Sequence, residues 1–322
     1  MIVLSGAKFE VTHLAFSPDA KQLATSGGGR GLEMWDLPSG NLWGRYTRNH
    51  HPTDGPVTFH PTQPVCFASS FNAVVEIESD TKGAKLLAVE GEGINFFRVR
   101  AMLPDGSGFV CLCNGHATAN GVIWLLKWTR GKSLRVKWAG RSQGLTARSA
   151  RAMEPEVIRV APDGKTFVSL DAKPRTSYWD ETRELVRMTV HSVRDGTVLR
   201  SAKLAGGTAP VLDIAPDSGT FVTCRANALN VCRADDLTAA PRVVRADTRA
   251  RLTGVAFHPS GRYLATVSND KTVKLYDTST WEVARTFAWE IGRMRSVAFS
   301  PDGTLAAAGS SSGKVVVWDV DV

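Results

Sequence analysis

The chain of 322 residues has an ordinary globular composition, with 43% hydrophobic and 22% charged residues. This composition excludes a disordered or collagen-like chain and supplies enough apolar side chains for a large core. Lys and Arg together number 39 against 31 for Asp and Glu, so the formal net charge is +8, an excess that permits an acidic partner without requiring one.

Two features of the sequence bear on its compartment. No stretch approaches the ~18 uninterrupted apolar residues of a membrane-spanning helix, and the N-terminus turns polar after Leu4. The cysteines are odd in number, and four of the five lie among apolar, strand-like neighbours, as in PVCFAS and FVCLC. We therefore expect a soluble, cytoplasmic protein with no membrane segment and with reduced, buried thiols. The cysteines are Cys66, Cys111, Cys113, Cys224 and Cys232.

A short turn with proline in its second position recurs seven times along the chain. In chain order the copies are SPDA (17–20), HPTQ (60–63), LPDG (103–106), APDG (161–164), APDS (215–218), HPSG (258–261) and SPDG (300–303). Their prolines are 43, 43, 58, 54, 43 and 42 residues apart. Because proline presets φ and glycine accepts positive φ, each copy predicts a tight turn between two strands. The repeats extend over the whole chain.

Each turn belongs to a unit of four predicted strands. Apolar runs flank the turn, such as RSVAF before it and TLAAAGS after it. A third alternating run ends in Trp35-Asp36, Tyr276-Asp277 and Trp318-Asp319, and a fourth follows, as in NLWGRYT and WEVARTF. Four short strands at a spacing near 43 residues predict one propeller blade per repeat.

These units resemble the repeats of the WD-repeat (WD40) β-propeller family. The most similar are GVAFHPSGRYLATVSNDKTVKLYD (254–277) and SVAFSPDG through VVVWD (296–319), and Met1 to Gly40 is also similar. The other four repeats keep the turn but lose the Trp-Asp pair, and they end in Glu78-Ser79, Trp128-Thr129, His191-Ser192 and Cys232-Arg233. The resemblance implies an all-β, seven-bladed propeller of four-stranded antiparallel blades, formed by a single domain over residues 1–322.

The N-terminal segment is expected to close the propeller. Blade 7 lacks a fourth strand of its own, because the chain stops three residues after Asp319. When the segment before the first turn is aligned with the segment before the last turn, Ile2 to Leu4 matches the fourth strand of blade 6 in sequence position. We predict that Ile2 to Leu4 completes blade 7 beside Val315 to Trp318, in parallel order, which removes an open sheet edge.

Two glycine-containing motifs could carry chemistry. Gly309 to Gly313 matches the nucleophile elbow G-x-S-x-G, but a strand follows where that motif needs a helix. We expect a hairpin turn and no catalysis by Ser311. The run Ser26 to Gly31 could cradle a phosphate, but it lacks the P-loop lysine, and a flexible hairpin is the favoured interpretation.

A cysteine motif raises the question of a metal. Cys111, Cys113 and His116 form C-x-C-x-x-H, and residues two apart on a strand share a face. A fourth ligand is missing, and the further candidate is Cys66, in the equivalent strand of the neighbouring blade. Two buried thiols beside an exposed turn histidine are the favoured interpretation, so we expect no metal and no cofactor.

The run Lys127 to Arg141 has the composition of a groove for single-stranded nucleic acid. It holds six basic residues, two tryptophans and no acid. However, Ser133 to Trp138 is predicted as the outermost strand of blade 3, where charges guard an edge. The predicted alternation places Leu134, Val136 and Trp138 inward and Arg135 and Lys137 toward water. Nucleic acid is therefore the less favoured partner.

Insertions distinguish blades 3 and 4. From the turn proline to the glycine after the third strand there are 22 residues in blades 1 and 2, but 27 in blade 3 and 34 in blade 4. The connection from blade 3 to blade 4 is also lengthened. The resemblance implies that these loops emerge on one face of the propeller, where members of the family commonly hold partners. Long loops in a compact domain are usually functional or disordered.

The insertions combine arginines with an aromatic residue, the usual makeup of a binding hot spot. The candidate partner-binding residues are His116, Arg141, Arg148, Arg151, Lys173, Arg175, Trp179 and Arg183. Other connections on the same face add Arg30, Arg225, Arg249, Arg251, Arg293 and Arg295. The alternative is a solvated, arginine-rich surface without a ligand.

The sequence thus predicts a non-catalytic, monomeric scaffold that binds an acidic or phosphorylated protein or peptide on that face. One alternative is an enzyme or small-ligand binder that uses the central channel, although inner strands such as THLAF and GVAF offer few metal-binding side chains. The other alternative is a nucleic-acid binder, whose affinity would fall steeply with salt.

Overall fold

A computed structural model shows a chain built from β-strands. It describes residues 1–7, 9–27, 31–46, 55–70, 73–78, 80–81, 83–87, 89–90, 97–113, 122–141, 154–172, 185–204 and 208–320. Within these residues there are 29 strands in seven sheets, which we number in chain order. The seven sheets are the blades of a β-propeller, so the predicted fold class is confirmed. None of these residues forms a helix that could span a membrane.

The chain divides into two compact units, and the first consists of Met1–Leu86 and Asp247–Val322. It holds blades 1, 2, 6 and 7. Blade 1 is β2 (His13–Phe16), β3 (Gln22–Ser26), β4 (Leu32–Asp36) and β5 (Asn41–Tyr46), and blade 2 is β6 (Val57–Phe59), β7 (Val65–Ser70), β8 (Ala73–Glu78) and β9 (Ala84–Leu87). Blade 6 is β23 (Leu252–Phe257), β24 (Tyr263–Ser268), β25 (Thr272–Asp277) and β26 (Glu282–Ala288), and blade 7 is β27 (Met294–Phe299), β28 (Leu305–Ser310), β29 (Val315–Asp319) and β1 (Ile2–Leu4).

The second unit, Leu87–Ala246, holds blades 3, 4 and 5. Blade 3 is β11 (Phe97–Met102), β12 (Gly108–Cys113), β13 (Val122–Lys127) and β14 (Leu134–Arg141), and blade 4 is β15 (Glu154–Val160), β16 (Thr166–Ala172), β17 (Leu185–Ser192) and β18 (Val198–Lys203). Blade 5 is β19 (Thr208–Ile214), β20 (Thr220–Arg225), β21 (Ala228–Arg233) and β22 (Arg242–Arg245). The single domain expected over residues 1–322 stays a prediction.

Blade 3 carries one strand more than its four antiparallel strands. The short strand β10 (Val89–Glu90) pairs in parallel with Leu134 and Arg135 on the outer side of β14. Nothing in the repeat pattern marks this addition. It covers part of an otherwise open edge, which limits pairing with other chains.

Alternate side chains of the middle strands face the two neighbouring blades, which is why these strands are apolar almost throughout. In the first unit, Met34 packs in one cluster with Phe59 of blade 2. Its neighbour Trp35 packs on the other side with Leu4 and Val317 of blade 7. The core of this unit therefore lies between its blades.

The strand β1 completes blade 7, as predicted. Ile2–Leu4 pairs with Val315–Val317 of β29, and Leu4 is buried between blades 7 and 1. The predicted parallel order is wrong, because the pairing is antiparallel. A four-stranded meander reverses direction at every strand, and β1 occupies the place of the fourth strand beside the third.

The proline turns allow the blades to be aligned. In blade 1, the residue four positions after the turn proline, Gln22, pairs with Asp36 of the Trp-Asp pair. The same rule gives Ile77-Glu78 in blade 2 and Leu126-Lys127 in blade 3. The predicted Glu78-Ser79 and Trp128-Thr129 are therefore wrong, by one and by two residues, whereas His191-Ser192 and Cys232-Arg233 are confirmed.

The outer strand β14 differs from its predicted alternation at one position. Leu134 is buried, and Arg135 and Lys137 are exposed, as predicted. Val136, however, is 37% exposed instead of facing inward. The register shifts beside this residue, so that Val136 and Trp138 oppose consecutive residues of β13 and Lys137 is the extra residue of a β-bulge.

Candidate partner-binding edges

The insertions leave the sheets at one edge. We call the edge where the second strand ends and the third begins the loop edge, and the edge with the proline turn the turn edge. Paired rows at the loop edge are Cys113, Val122 and Arg141 in blade 3, and Ala172 with Glu154 and Leu185 in blade 4. The three lengthened segments lie between β12 and β13, between β14 and β15, and between β16 and β17. All of them begin and end at this edge.

The predicted site residues fall almost entirely in those segments. Seven of the eight lie outside the described residues, namely His116, Arg148, Arg151, Lys173, Arg175, Trp179 and Arg183. The eighth, Arg141, is the last residue of β14 and pairs with Val122, but the description does not extend to its side chain. Arg30 and the two glycines before it likewise lie outside the described residues. Their role in binding stays a prediction.

A buried polar chain lies in blade 4, where β16 approaches its insertion. The Nε2 atom of His191 lies 3.1 Å from Oγ of Ser169, and that hydroxyl donates to Oδ1 of Asp171 at 3.2 Å. Because the hydroxyl has a single proton and donates it to the carboxylate, Nε2 of His191 must be the donor to Ser169. All three side chains are at most 1% exposed. A catalytic triad has the carboxylate on the imidazole and an accessible hydroxyl, so this order and burial indicate a structural role.

Burial shifts the pKa values of Asp171 and His191 in opposite directions. It raises the pKa of Asp171 to about 6, against the hydrogen bond from Ser169 and the positive charge of Arg187. It lowers the pKa of His191 to about 4, against a hydrogen bond to the backbone of Gly196. Both shifts disfavour the charged form, so His191 is neutral at pH 7.

The same ring-to-hydroxyl bond occurs in blade 1. There Nε1 of Trp35 donates to Oγ1 of Thr25 at 3.2 Å. Thr25 and Ser169 each stand seven residues after their turn proline, and Trp35 and His191 occupy equivalent places on the third strand. His191 therefore replaces the tryptophan of the repeat while it keeps the ring N–H that the neighbouring strand requires.

Two other blades contain only one of the two partners of this bond, either the ring N–H or the hydroxyl. In blade 7, Ala308 occupies the hydroxyl position, and the buried Nε1 of Trp318 has no hydrogen-bond partner among the described residues. In blade 5, Cys232 occupies the ring position, and the buried hydroxyl of Thr223 lacks a partner in the same part of the chain. An unsatisfied buried polar group costs roughly 1–3 kcal/mol. These two blades therefore carry a local loss of stability.

The elbow-like motif forms a hairpin turn between β28 and β29, as predicted. Its serines serve the turn, since Ser310 Oγ donates to the carbonyl of Lys314 at 2.9 Å and Ser312 Oγ donates to the carbonyl of Ile291. Ser311 is exposed, and no histidine or carboxylate in the described part of the chain is hydrogen bonded to it.

Four cysteines are buried, as expected, and form no disulfide with another described residue: Cys66, Cys111, Cys224 and Cys232. Burial raises the pKa of the Cys66 thiol, and it raises that of Cys232 to about 11. Cys113 ends β12, and its side chain and His116 lie outside the described residues, so the question of zinc at this motif stays a prediction. Within the described residues, no three or more His, Cys, Asp or Glu side chains form a group that could hold a metal.

The tryptophans of the basic run in blade 3 are packed against the protein. Trp128 is buried, and Trp138 donates Nε1 to the carbonyl of Val193 at 2.9 Å and stacks on Phe167 with ring centroids 6.1 Å apart. Binding of single-stranded nucleic acid uses open aromatic faces on which bases stack. The exposed cations of this run therefore lack the aromatic platforms that the nucleic-acid interpretation requires.

The loop edge of blades 6 and 7 is strongly basic in its described connections and turns. It consists of the connections 246–251 and 289–293 and the hairpin turns 269–271 and 311–314. Its exposed cations are Arg249, Arg251, Lys271, Arg293 and Lys314. None of the five forms an ion pair with another described residue, because the ion pairs at this edge are those of Lys274 with Asp247 and of Arg295 with Glu10.

Arg295 has a structural role that the sequence did not reveal. From β27 it donates through Nε to Glu10, which precedes blade 1, and through Nη1 to the amide oxygen of Asn269 in blade 6. Its charge is therefore used within the fold. Of the arginines that the sequence marked at this edge, Arg249, Arg251 and Arg293 remain exposed, and Lys271 and Lys314 join them. The signal for these two lysines was their place in the hairpin turns after β24 and β28.

Comparisons with known proteins agree with this arrangement. Residues 1–36, 242–277 and 284–319 match the family model of the WD domain, G-beta repeat. Each match begins on the fourth strand of one blade and ends on the third strand of the next, so the sequence repeat is offset from the blade by one strand.

Curated relatives are similar to parts of the chain. Protein HIR1 of Mycosarcoma maydis is 45% identical over 74 residues, which are 21% of this chain and 7% of the relative. The probable cytosolic iron-sulfur protein assembly protein 1 of Yarrowia lipolytica is 39% identical over 71 residues, 21% of each chain. The guanine nucleotide-binding protein subunit beta of Oryza sativa subsp. japonica is 32% identical over 127 residues, 36% of this chain and 33% of the relative. The chain thus spans at most a third of the length of these three relatives.

Proposed function

Because the chain belongs to the WD40-repeat family, we propose that it is an interaction scaffold. It acts as a non-catalytic cytoplasmic monomer and binds an acidic or phosphorylated segment of a protein partner. The contact surface is the loop edge of blades 3 and 4. Radial blades hold such loops on a rigid frame, which is the arrangement that positions binding loops in many proteins.

The observation that carries the proposal is the convergence of three insertions on one edge of two neighbouring blades. Their strand ends pair in single rows, so the loops start from fixed points. Insertions at the ends of strands leave the sheet hydrogen bonds intact, and long loops kept in a compact domain are usually functional. Their common edge favours one composite binding surface.

The charge of the insertions indicates the chemistry of the partner. Residues 142–153 and 173–184 contain five cations, Arg148, Arg151, Lys173, Arg175 and Arg183, against three acids, Asp180, Glu181 and Glu184. Guanidinium groups bind carboxylates and phosphates through two parallel hydrogen bonds. Trp179 adds an aromatic anchor of the kind enriched in binding hot spots. A protein segment with oxyanion side chains fits this set.

The names of two relatives agree with a scaffold role. One relative is named as a subunit of a guanine nucleotide-binding protein, and another as a cytosolic assembly protein. The second name also supports the cytoplasmic location. The packing of Trp128 and Trp138 against the protein disfavours the nucleic-acid alternative.

The test measures binding of fluorescein-labelled peptides by fluorescence anisotropy. The probes are a peptide of ten glutamates and a serine peptide of equal length with and without phosphorylation. Replacement of Arg148, Arg151 and Arg175 with Ala should weaken binding of the acidic probes about tenfold or more, since each charged hydrogen bond contributes roughly 1.5–3 kcal/mol.

The matched control removes three cations from the turn edge of the same unit. Lys132, Lys165 and Arg194 are exposed there, so their replacement with Ala lowers the net charge equally. Unchanged binding by this control supports the proposal, and an equal loss in both triple variants contradicts it. A single-stranded oligonucleotide that displaces the peptide, with an affinity that falls steeply with salt, would also contradict it.

A further inference from the structure

We infer that the loop edge of blades 6 and 7 is a second anion-binding surface, centred on Arg251 and Arg293, which takes the carboxylate or phosphate side chains of an acidic peptide segment. The inference rests on the proposed function, because it assigns a further contact surface to the same class of partner. It uses described residues only and does not depend on the insertions of blades 3 and 4.

The two arginines stand at equivalent places on neighbouring strands. Arg251 directly precedes β23 and Arg293 directly precedes β27. The two strands lie side by side, since Oγ1 of Thr253 donates to the carbonyl of Met294 at 2.8 Å. The fold therefore brings two guanidinium groups to one edge of adjacent blades.

The backbone of both arginines is fixed. The carbonyl of Arg251 accepts from the amide of Asn269 at 3.1 Å and from Oγ of Ser268 at 3.2 Å. The carbonyl of Arg293 accepts from the amide of Ser311 at 2.8 Å. Only the side chains then lose freedom when a ligand binds, which lowers the entropic cost of binding.

Carboxylates at this edge are mostly engaged elsewhere. Asp247 binds Lys274, Glu10 binds Arg295, and Oδ1 of Asp270 accepts from both the amide and the hydroxyl of Thr272. Within the described connections and turns, Glu290 is the one exposed carboxylate without such a partner. One unpaired acid thus faces five exposed cations.

This imbalance favours an oxyanion ligand. Like charges held on one edge repel one another, and an anion placed between them removes that repulsion. Arginine presents a planar fork that matches carboxylate and phosphate oxygens, and the exposed hydroxyl of Ser311 beside Arg293 is a further donor. A phosphoserine, with up to two negative charges and three acceptor oxygens, should bind more tightly than a glutamate.

A peptide is favoured over a nucleic acid because this edge lacks an open aromatic face. Trp289, the aromatic residue of these loops, packs on Phe287 and on Trp318, with ring centroids 5.5 and 4.9 Å apart. Bases of single strands need such faces for stacking. Side-chain oxyanions need only the guanidinium and hydroxyl donors.

The experiment uses the full chain and the same three peptide probes at about 0.15 M salt, where charges separated by more than about 8 Å are largely screened. The double substitution Arg251→Ala with Arg293→Ala should weaken binding of the phosphorylated and glutamate peptides about tenfold. The conservative pair Arg251→Lys with Arg293→Lys should have an intermediate effect, because lysine keeps the charge and loses the planar fork.

The matched control is Lys21→Ala with Arg285→Ala, which removes two exposed cations away from this edge and should leave binding unchanged. An equal loss in this control would overturn the inference, as would an oligonucleotide that outcompetes both peptides. If the triple variant of blades 3 and 4 loses binding while Arg251→Ala with Arg293→Ala does not, the proposed function stands and this inference fails. If neither variant loses binding, or if the wild-type chain binds no peptide, both fail.

Discussion

Restoring the missing hydroxyl in blade 7 should give the buried indole N–H of Trp318 a hydrogen-bond acceptor. The change is Ala308→Thr, which places a hydroxyl where blade 1 has Thr25. Ala308 is fully buried, and Trp318 is 5% exposed with its Nε1 unpaired among the described residues. The backbone register is the one that gives a 3.2 Å bond between Trp35 and Thr25, so the new hydroxyl should accept from Trp318.

The effect of the hydroxyl on the free energy of unfolding is measured against a variant of equal volume. Ala308→Val adds the same number of heavy atoms without a hydroxyl, so both variants carry the same packing cost. In a buried site without a partner, a hydroxyl costs roughly 1–3 kcal/mol relative to an apolar group. With Trp318 as its donor, Ala308→Thr should instead be more stable than Ala308→Val by about 1 kcal/mol, the net value of a typical intramolecular hydrogen bond.

Urea unfolding followed by tryptophan fluorescence measures the difference. The midpoint of unfolding should be higher for Ala308→Thr than for Ala308→Val at an unchanged m value, which would show that stability and not compactness has changed. The reciprocal change Thr25→Val in blade 1 should lower the free energy of unfolding by roughly 1–3 kcal/mol, because it leaves the buried Trp35 Nε1 without an acceptor. A greater stability of Ala308→Val than of Ala308→Thr would refute the alignment of the blades.

Four further changes test other parts of the structure. Trp281 has φ of 62° at the turn position that glycine occupies in blades 1, 3 and 4, so Trp281→Gly should be more stable than Trp281→Ala by roughly 1 kcal/mol in urea unfolding. Deletion of residues 1–6 should lower the melting temperature markedly, because it removes the buried Leu4 and uncovers β29, and unchanged melting would contradict the closure of blade 7. The free energy of unfolding should be measured at pH 7 and pH 5 for the wild type and for Asp171→Asn. Protonation of Asp171, whose pKa is raised to about 6, stabilises the folded wild type as pH falls, and Asp171→Asn lacks this gain, so the variant should become less stable relative to the wild type at pH 5. His191→Phe should become more stable relative to the wild type at pH 5, because a folded-state pKa of about 4 for His191 costs the wild type stability as pH falls below 6.5. The opposite pH dependence in either variant would contradict the corresponding pKa shift.

The proline turns made the fold predictable. Each turn fixes two strands and their register, and seven turns over the chain predict seven blades. Register failed only where the third strand lacks an aromatic marker. Ile77 and Leu126 fill that position in blades 2 and 3, and the sequence prediction placed the equivalent pairs one and two residues beyond it. Counting from the turn proline finds the position in every blade.

The site was less predictable because pairing joins residues that are distant in the chain. Arg295 meets Glu10 only after the N-terminal segment has reached blade 7, so its charge looked available in the sequence. Asp171 lies beside an insertion, at the end of β16, yet the two-residue alternation of this strand buries it with Ser169. The insertion residues themselves lie outside the described residues, and their roles stay predictions.

The charges on the two edges of the first unit differ in what the fold requires of them. At the turn edge, Asp19 and Asp302 accept hydrogen bonds from the serine before each turn proline, and Asp36 and Asp277 accept from the serine that follows each third strand. The repeat itself therefore requires carboxylates at that edge. No such duty holds Arg249, Arg251 and Arg293 at the loop edge of blades 6 and 7, whose side chains make no ion pair with any described residue. A charge that folding does not use is better evidence for a partner than one that it does, which is why the loop edges are where binding should be sought.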